Sequence, residues 1–387
     1  MPLEWAGANR TIIRMGSATT ESTIAAESVR PRIATLDLLR AIACLWVVLS
    51  HSPLPPDCNP ILRRIASSRG GVVGVDIFFV LSGFLVSGLL FQEYQRRGRV
   101  NAGRFLIRRA FKIYPSFYFF LFCTVVAIHL FANDPSKASI QRVAAEALFV
   151  QNYFPGVWGH TWSLAVEEHF YLLVAISIWL MSRRGGSNPF RSWPILVLIL
   201  SFACLTFRLS IASEPSSFRT HVFPTHLRLD GLAFGSLLSY FQVFGGNTWI
   251  TRIRSLRVPV FIGGCLLLSG PFFIEEKLDT VRRAIMFTTD YLGAGAILAS
   301  SLTFRRPLPI SLAGLIALGR QSYCIYLWQA VVLNWIVPRI ESRLSEINPY
   351  LPCVAAILLS TALGWIMGSL IERPFLALRE KLAPRSR

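Results

Sequence analysis

The sequence predicts an all-α polytopic membrane protein of about ten transmembrane helices, with both termini cytoplasmic. Three observations carry this reading. Of 387 residues, 53% are hydrophobic and only 16% charged, with a mean hydropathy of +0.50, whereas soluble domains carry about 25% charged residues. The apolar residues gather in runs near twenty long, each able to cross a hydrocarbon core of ~30 Å. Lys and Arg also crowd into alternate loops, the bias that orients membrane proteins.

Taken in order, residues 1–31 are mixed and polar with no apolar signal region, and read as a flexible cytoplasmic tail. The membrane domain is expected over 32–375, and the remaining 376–387 form a short cytoplasmic tail. Apolar runs place the spans near 33–52, 71–91, 113–132, 160–182, 193–212, 228–246, 258–274, 284–304, 316–337 and 351–371, the seventh being the shortest. Between the third and fourth, 137–151 is amphipathic at helical spacing and is expected to lie in the interface.

The net charge of +18 is in large part an orientation signal. The two tails and the loops that follow even-numbered spans hold most of the loop Lys and Arg, which puts both termini inside. Nucleic acid is not needed to explain the charge. The segment 92–112 is the most basic, with seven Lys and Arg residues. It fits either anionic lipid headgroups or a polyanionic cytosolic ligand such as a nucleotide cofactor. Cysteine points to neither metal nor redox chemistry. Six of the seven lie in apolar stretches, Cys58 lies in a loop, and no CxxC occurs.

Ionisable residues inside spans cost several kcal/mol at least and face a cavity or a partner. Here they are Asp37, Arg40, His51, Asp76, Glu167, Glu168, His169, Arg228, Asp230 and Asp290. Asp37 and Arg40, three apart, fit a local pair equally well. The topology places Arg40 near the cytoplasm, and His51 with Asp76, Glu167, Glu168, Arg228 and Asp230 in the outer half. Arg40 and His51 are eleven residues apart, which returns a helix to nearly the same face about 16 Å along its axis. An acyl-CoA could therefore be held at Arg40 and the basic segment while its thioester reaches His51. A carboxylate near His51 would fix its tautomer and raise its basicity. Histidine could then deprotonate an acceptor hydroxyl or accept the acyl group itself. Glu167 and Glu168 differ by 100° around the helix, so one of them is expected to face the site, and the pattern does not choose which. The Glu167-Glu168-His169 run has no metal-ligand spacing.

At these residues the chain resembles the membrane-bound acyltransferase-3 family, of the O-antigen and exopolysaccharide O-acetyltransferase type. The motifs are LDLLRAIACLWVVLSH with its R-x10-H pair, GVDIFFVLSGFL from Gly74, FLIRRAFKIYP from Phe105 and WSLAVEEHFYLL from Trp162. RLDGLAFGSLL from Arg228, SYCIYLWQ from Ser322 and the terminal ERPF match less strongly. The resemblance spans roughly 33–375. It implies transfer of an acyl group, commonly acetyl from acetyl-CoA, to a hydroxyl of a cell-surface or lipid-linked glycan. His51, Glu167 and Glu168 become the catalytic candidates. Arg40, Arg108, Arg109 and Lys112 become the donor-binding ones, and Asp76, Trp162, Ser163, Arg228 and Asp230 the substrate-binding ones. The chain departs from the pattern at His169 (usually Gln), Lys112 (often Arg) and Gln329 (often His), and the fused hydrolase-like domain of some relatives is not expected within these residues.

The implied setting is a multi-pass protein of the cell inner membrane. Its partners would be the lipid bilayer, acyl-CoA, a glycan or glycolipid acceptor and polysaccharide-biosynthesis proteins, with neither metal nor nucleic acid. A proton-coupled transporter or flippase of a lipid-linked sugar is the alternative, since embedded carboxylates and a His also suit a proton relay. Gly74, Gly83 and Gly88 are expected at close helix contacts, and Trp158 and Trp162 in an interfacial belt.

Overall fold

The computed structural model describes residues 34–132, 134–215, 217–273, 279–304 and 308–384. The expected N-terminal tail and the last three residues lie outside the described residues. Every regular element among those described is helical. The order is α1 (Ala34–His51), α2 (Pro60–Ile65), α3 (Ser68–Arg97), α4 (Ala102–Phe131), α5 (Ile140–Ala147), α6 (Trp162–Ser182), α7 (Trp193–Ser210) and α8 (Phe218–His221). It continues with α9 (Leu229–Phe244), α10 (Gly246–Ser255), α11 (Arg257–Phe273), α12 (Asp279–Ser301), α13 (Ala313–Val331), α14 (Val337–Ile347), α15 (Leu351–Met367) and α16 (Arg373–Leu382).

Local chemistry sets several boundaries. Asn59 and Asn101 cap α2 and α4 by accepting backbone N–H groups that the first turn leaves free. The basic segment turns at Gly98, whose φ of 66° closes α3 in the left-handed region that glycine tolerates. Two π-helical turns interrupt the last two spans: Val332–Ile336 joins α13 to α14, and Gly368–Glu372 joins α15 to α16.

Among the described residues, seven helical segments are long and apolar enough to cross a membrane, or eight if α10 and α11, bent by 74°, form one span. All ten expected segments fall on helices, but α9 has only 16 residues, about 24 Å of helix. It is short because it is a core helix, buried on nearly every face. The amphipathic segment is also shorter than its pattern indicates. A 3-10 turn over Pro135–Ala138 precedes the eight-residue α5, because Glu146 turns inward and holds the following loop. Its carboxylate accepts the Val157 N–H (3.0 Å) and the Thr161 hydroxyl. Burial pushes the Glu146 carboxyl up to about 7 against these donors.

α3 lies against α1, α6, α9 and α12, and α13 against α1 and α15. Small residues permit these approaches. A Cβ on Gly83 would overlap the Leu232 carbonyl, one on Gly319 the Asp37 carbonyl, and one on Gly74 would come 2.8 Å from Val47 Cγ2. Gly88 sits in ordinary contact, 3.6 Å from Ser239 Oγ. The cysteines are free and mostly buried, although Cys265 on α11 is exposed.

Candidate active site

The site is organised by α1, which carries Arg40 and His51 on one helix into two separate cavities. At the Arg40 level is a cavity of about 90 Å³ walled by α1, α3, α4, α6 and α13. Its polar lining includes Arg40, Ser82, Arg109, Lys112, Ser163, Glu167, Tyr323 and Tyr326. Arg40 Nε donates to Ser322 Oγ at 3.3 Å. Arg109 lies over the Tyr171 ring, 4.2 Å from its centroid, and its buried Nε has no hydrogen-bond partner among the described residues. Tyr171 donates to Glu167. Lys112 is paired with Glu372, which the second π turn presents and which also accepts from Cys324 Sγ at 3.3 Å. Three cations thus converge on a small chamber against one lining carboxylate. The volume is well under the ~300 Å³ of ordinary ligand pockets. It admits a narrow chain, and a nucleotide would have to stay outside it.

At the His51 level a second pocket of about 740 Å³ is lined by His51, His160, Trp162, Phe223, Gln329 and Trp335, among others. Hydrogen bonds to carbonyls assign both imidazole tautomers, since a carbonyl only accepts. His51 Nδ1 is 2.8 Å from the Val47 carbonyl, so Nδ1 carries the proton and Nε2 holds the lone pair. His160 Nε2 is 3.2 Å from the Leu327 carbonyl, which leaves its lone pair on Nδ1. Ser50 Oγ lies 3.1 Å from His51 Nδ1.

The structure divides the sequence-derived residues. It brings Arg40, Arg109, Lys112, Ser163 and Glu167 together in the first cavity, and His51 and Trp162 in the second. Arg108 stands apart, paired with Glu380 at 2.7 Å and donating to the Ala383 carbonyl. The expected carboxylate beside His51 is not found among the described residues. Glu167 lies five residues into α6, about 8 Å below its start, and so faces the cationic chamber. Glu168 turns to the Tyr114 hydroxyl, 3.2 Å away. His169 meets Thr225 Oγ1 at 2.7 Å.

Asp76, Arg228 and Asp230 line neither cavity. Arg228 pairs with Asp76 and Arg208 with Asp230, each at 2.7 Å and with every side chain at most 3% exposed. Arg228 also lies over the Phe287 ring at 3.8 Å. These pairs tie α3, α7, α9 and α12 together. An embedded charge counted along one helix carries no sign that packing against other helices seals it.

Sequence reasoning assigned no role to His160, Tyr326 or Glu372. Signals for all three were present: His160 stands just before the Trp162 motif, Tyr326 within SYCIYLWQ and Glu372 at the head of ERPF. Gln329, where the resemblance often has His, lines the His51 pocket.

The family model described as an acyltransferase domain, acyltransferase-3, matches residues 33–369. The chain belongs to the acyltransferase-3 family. O-acetyltransferase OatA of Staphylococcus aureus is 26% identical over 363 residues, covering 88% of this chain and 56% of that protein. "Putative peptidoglycan O-acetyltransferase YrhL" of Bacillus subtilis is 27% identical over 364 residues, covering 88% of this chain and 54% of that one. The chain therefore spans little more than half the length of the curated relatives it matches. No solved structure matches.

Proposed function

We propose that this protein is an integral-membrane O-acyltransferase that takes acetyl from acetyl-CoA on the cytoplasmic side and delivers it to a hydroxyl of a cell-surface or lipid-linked glycan. The observation that carries the reading is the placement of Arg40 and His51 at two levels of α1, one in a cationic chamber and the other in a larger pocket with a second imidazole. The relatives named O-acetyltransferases support the chemistry. The acceptor class is inferred from the open, aromatic His51 pocket, whose half-buried Trp158 and Trp335 offer ring surface to a sugar.

The donor fits as a substrate with a narrow arm. Arg40, Arg109 and Lys112 attract the anionic donor, and the 90 Å³ chamber takes only the narrow thioester end of its pantetheine arm. The bulky nucleotide end rests on the basic segment 92–112. His51 Nε2, the ring nitrogen with the free lone pair, takes the proton of the acceptor hydroxyl. That oxygen attacks the thioester carbon, the C–S bond breaks, and the thiolate leaves to take up a proton. Glu167 has no part in orienting His51. Its place between Tyr171 and Arg109 makes it a counter-charge for the donor chamber.

The test is transfer of radiolabelled acetyl from acetyl-CoA to isolated cell-envelope glycan by the purified protein in vesicles without an ion gradient. His51→Ala is expected to lower transfer by ~10²–10⁴, the usual contribution of a general base, while the protein remains monodisperse. Wild-type transfer by that variant overturns the assignment. Activity that requires a gradient would favour transport instead.

A further inference from the structure

The two cavities are neighbours: Val75 and Tyr326 line both of them. Each side chain is only 6% exposed, and the Tyr326 ring is braced edge-on by Phe78 at 6.4 Å between centroids. The phenol is held from both sides. It donates to the His160 carbonyl and, having a single proton, accepts from Ser163 Oγ at 2.7 Å. Ser163 belongs to the cationic chamber and His160 to the histidine pocket, so the two hydrogen bonds bridge the wall itself. The next residue, Leu327, accepts from the His160 ring. Tyr326–Leu327 therefore fixes both the backbone and the imidazole of His160.

We propose that Tyr326 is a positioning residue of the acyl-transfer reaction, forming the closed partition that the donor's thioester must displace to reach the imidazoles. The inference rests on the two-chamber reading above and deepens it. With the phenol in place, an arm lying against Arg40 ends short of His51, and water in the histidine pocket is kept from the thioester. Displacement releases Ser163 and the His160 carbonyl together, so entry of the acyl group and adjustment of the second imidazole are one event. A partition of this kind suppresses acceptor-independent hydrolysis, because the donor is exposed only when its own arm has moved the ring.

The test reads the partition directly and needs no turnover. A reporter, Asn334→Cys, is placed in the histidine pocket of the full-length chain, and the protein is sealed in vesicles with the 92–112 segment facing out. A small anionic methanethiosulfonate of a size that labels Ser82→Cys, on the chamber side, is added outside. Modification of the peptide carrying residue 334 is then followed by mass spectrometry. With Tyr326 intact, labelling at 334 is expected to lag far behind that at 82. Tyr326→Ala is expected to raise the rate at 334 by about tenfold or more, the change in population that two lost hydrogen bonds correspond to. Tyr326→Phe, which keeps the ring but neither bond, is expected to fall between. It serves as the second measurement if the alanine variant is unstable. Equal labelling at 82 and 334 in the parent, or rates at 334 that neither variant changes, overturns the proposal. Either result leaves the acyltransferase reading to be judged by the His51 assay alone.

Discussion

Replacing Arg228 by Met is a decisive perturbation of the buried ionic cluster, because the structure makes its consequence calculable. Arg228 is 1% exposed and 2.7 Å from the Asp76 carboxylate. Its guanidinium covers the Phe287 ring at 3.8 Å. Asp290 is fully buried beside the pair, and neither of its oxygens has a hydrogen-bond partner among the described residues. Met fills much of the volume but leaves the Asp76 carboxylate buried without its cation. Breaking a buried pair in this way costs about 3–5 kcal/mol, and losing a desolvated cation–π contact adds about 2 kcal/mol. The sum is a large fraction of the stability of an ordinary domain, about 5–15 kcal/mol. Arg228→Met in detergent is therefore expected to lose its monodisperse fraction at markedly lower temperature than wild type. Arg228→Met combined with Asp76→Leu is expected to recover most of the loss, since an apolar replacement of a whole buried pair is often neutral. A wild-type melting profile for Arg228→Met, with weakened acceptor use, would show that the pair does not hold the helices together and return Arg228 to the substrate.

Further expectations follow from other contacts. Arg109→Gln is expected to weaken acetyl-CoA use, while Arg108→Gln leaves it nearly unchanged because Arg108 is engaged with Glu380 and the C-terminal segment; equal effects in a donor titration would contradict the division. The folded state holds a proton on Glu146 up to about pH 7, whereas the unfolded chain releases it near 4.5. The stability of the loop that Glu146 holds is thus complete below about 4.5 and is lost as pH rises through about 7, by up to about 3 kcal/mol. Hydrogen exchange over 147–161 should show that slope, Glu146→Gln should flatten it, and protection that rises with pH would contradict it. Gly319→Ala is expected to force α1 from α13, because the new methyl would overlap the Asp37 carbonyl, at a cost of about 1–3 kcal/mol; an unchanged unfolding profile would show that the helices can part freely.

The helices and the placing of Arg40 and His51 on one helix face were legible in the sequence because both are local. Apolar runs set the helices, and the eleven-residue spacing of Arg40 and His51 fixed their shared face before any neighbour was known. Contacts across the bundle were not legible. Lys112 meets Glu372 260 positions away, and Ser163 meets Tyr326 163 positions away, distances over which no helical period carries information. Depth counted along single helices put Glu167 and His51 at one level, but Glu167 lines the Arg40 chamber and not the His51 pocket. The same counting left Asp76, Arg228 and Asp230 as candidates for substrate, since an embedded charge looks alike from sequence whether it lines a cavity or is locked to a partner.

The π turn at Gly368–Glu372 makes the reading frame of the last span mechanically significant. A π turn holds one residue more than the α-helix around it accommodates, so everything beyond it is rotated by roughly one position, about 100°. Deleting one residue from the turn would restore regular helix and keep the ERPF carboxylate in place. A substitution that let the turn relax into regular α-helix, with every residue kept and the apolarity unchanged, would instead swing that carboxylate away from Lys112 and leave the cationic chamber with an uncompensated ammonium. A lesion that hydropathy cannot register would thereby alter the charge of a compartment formed mainly by other helices.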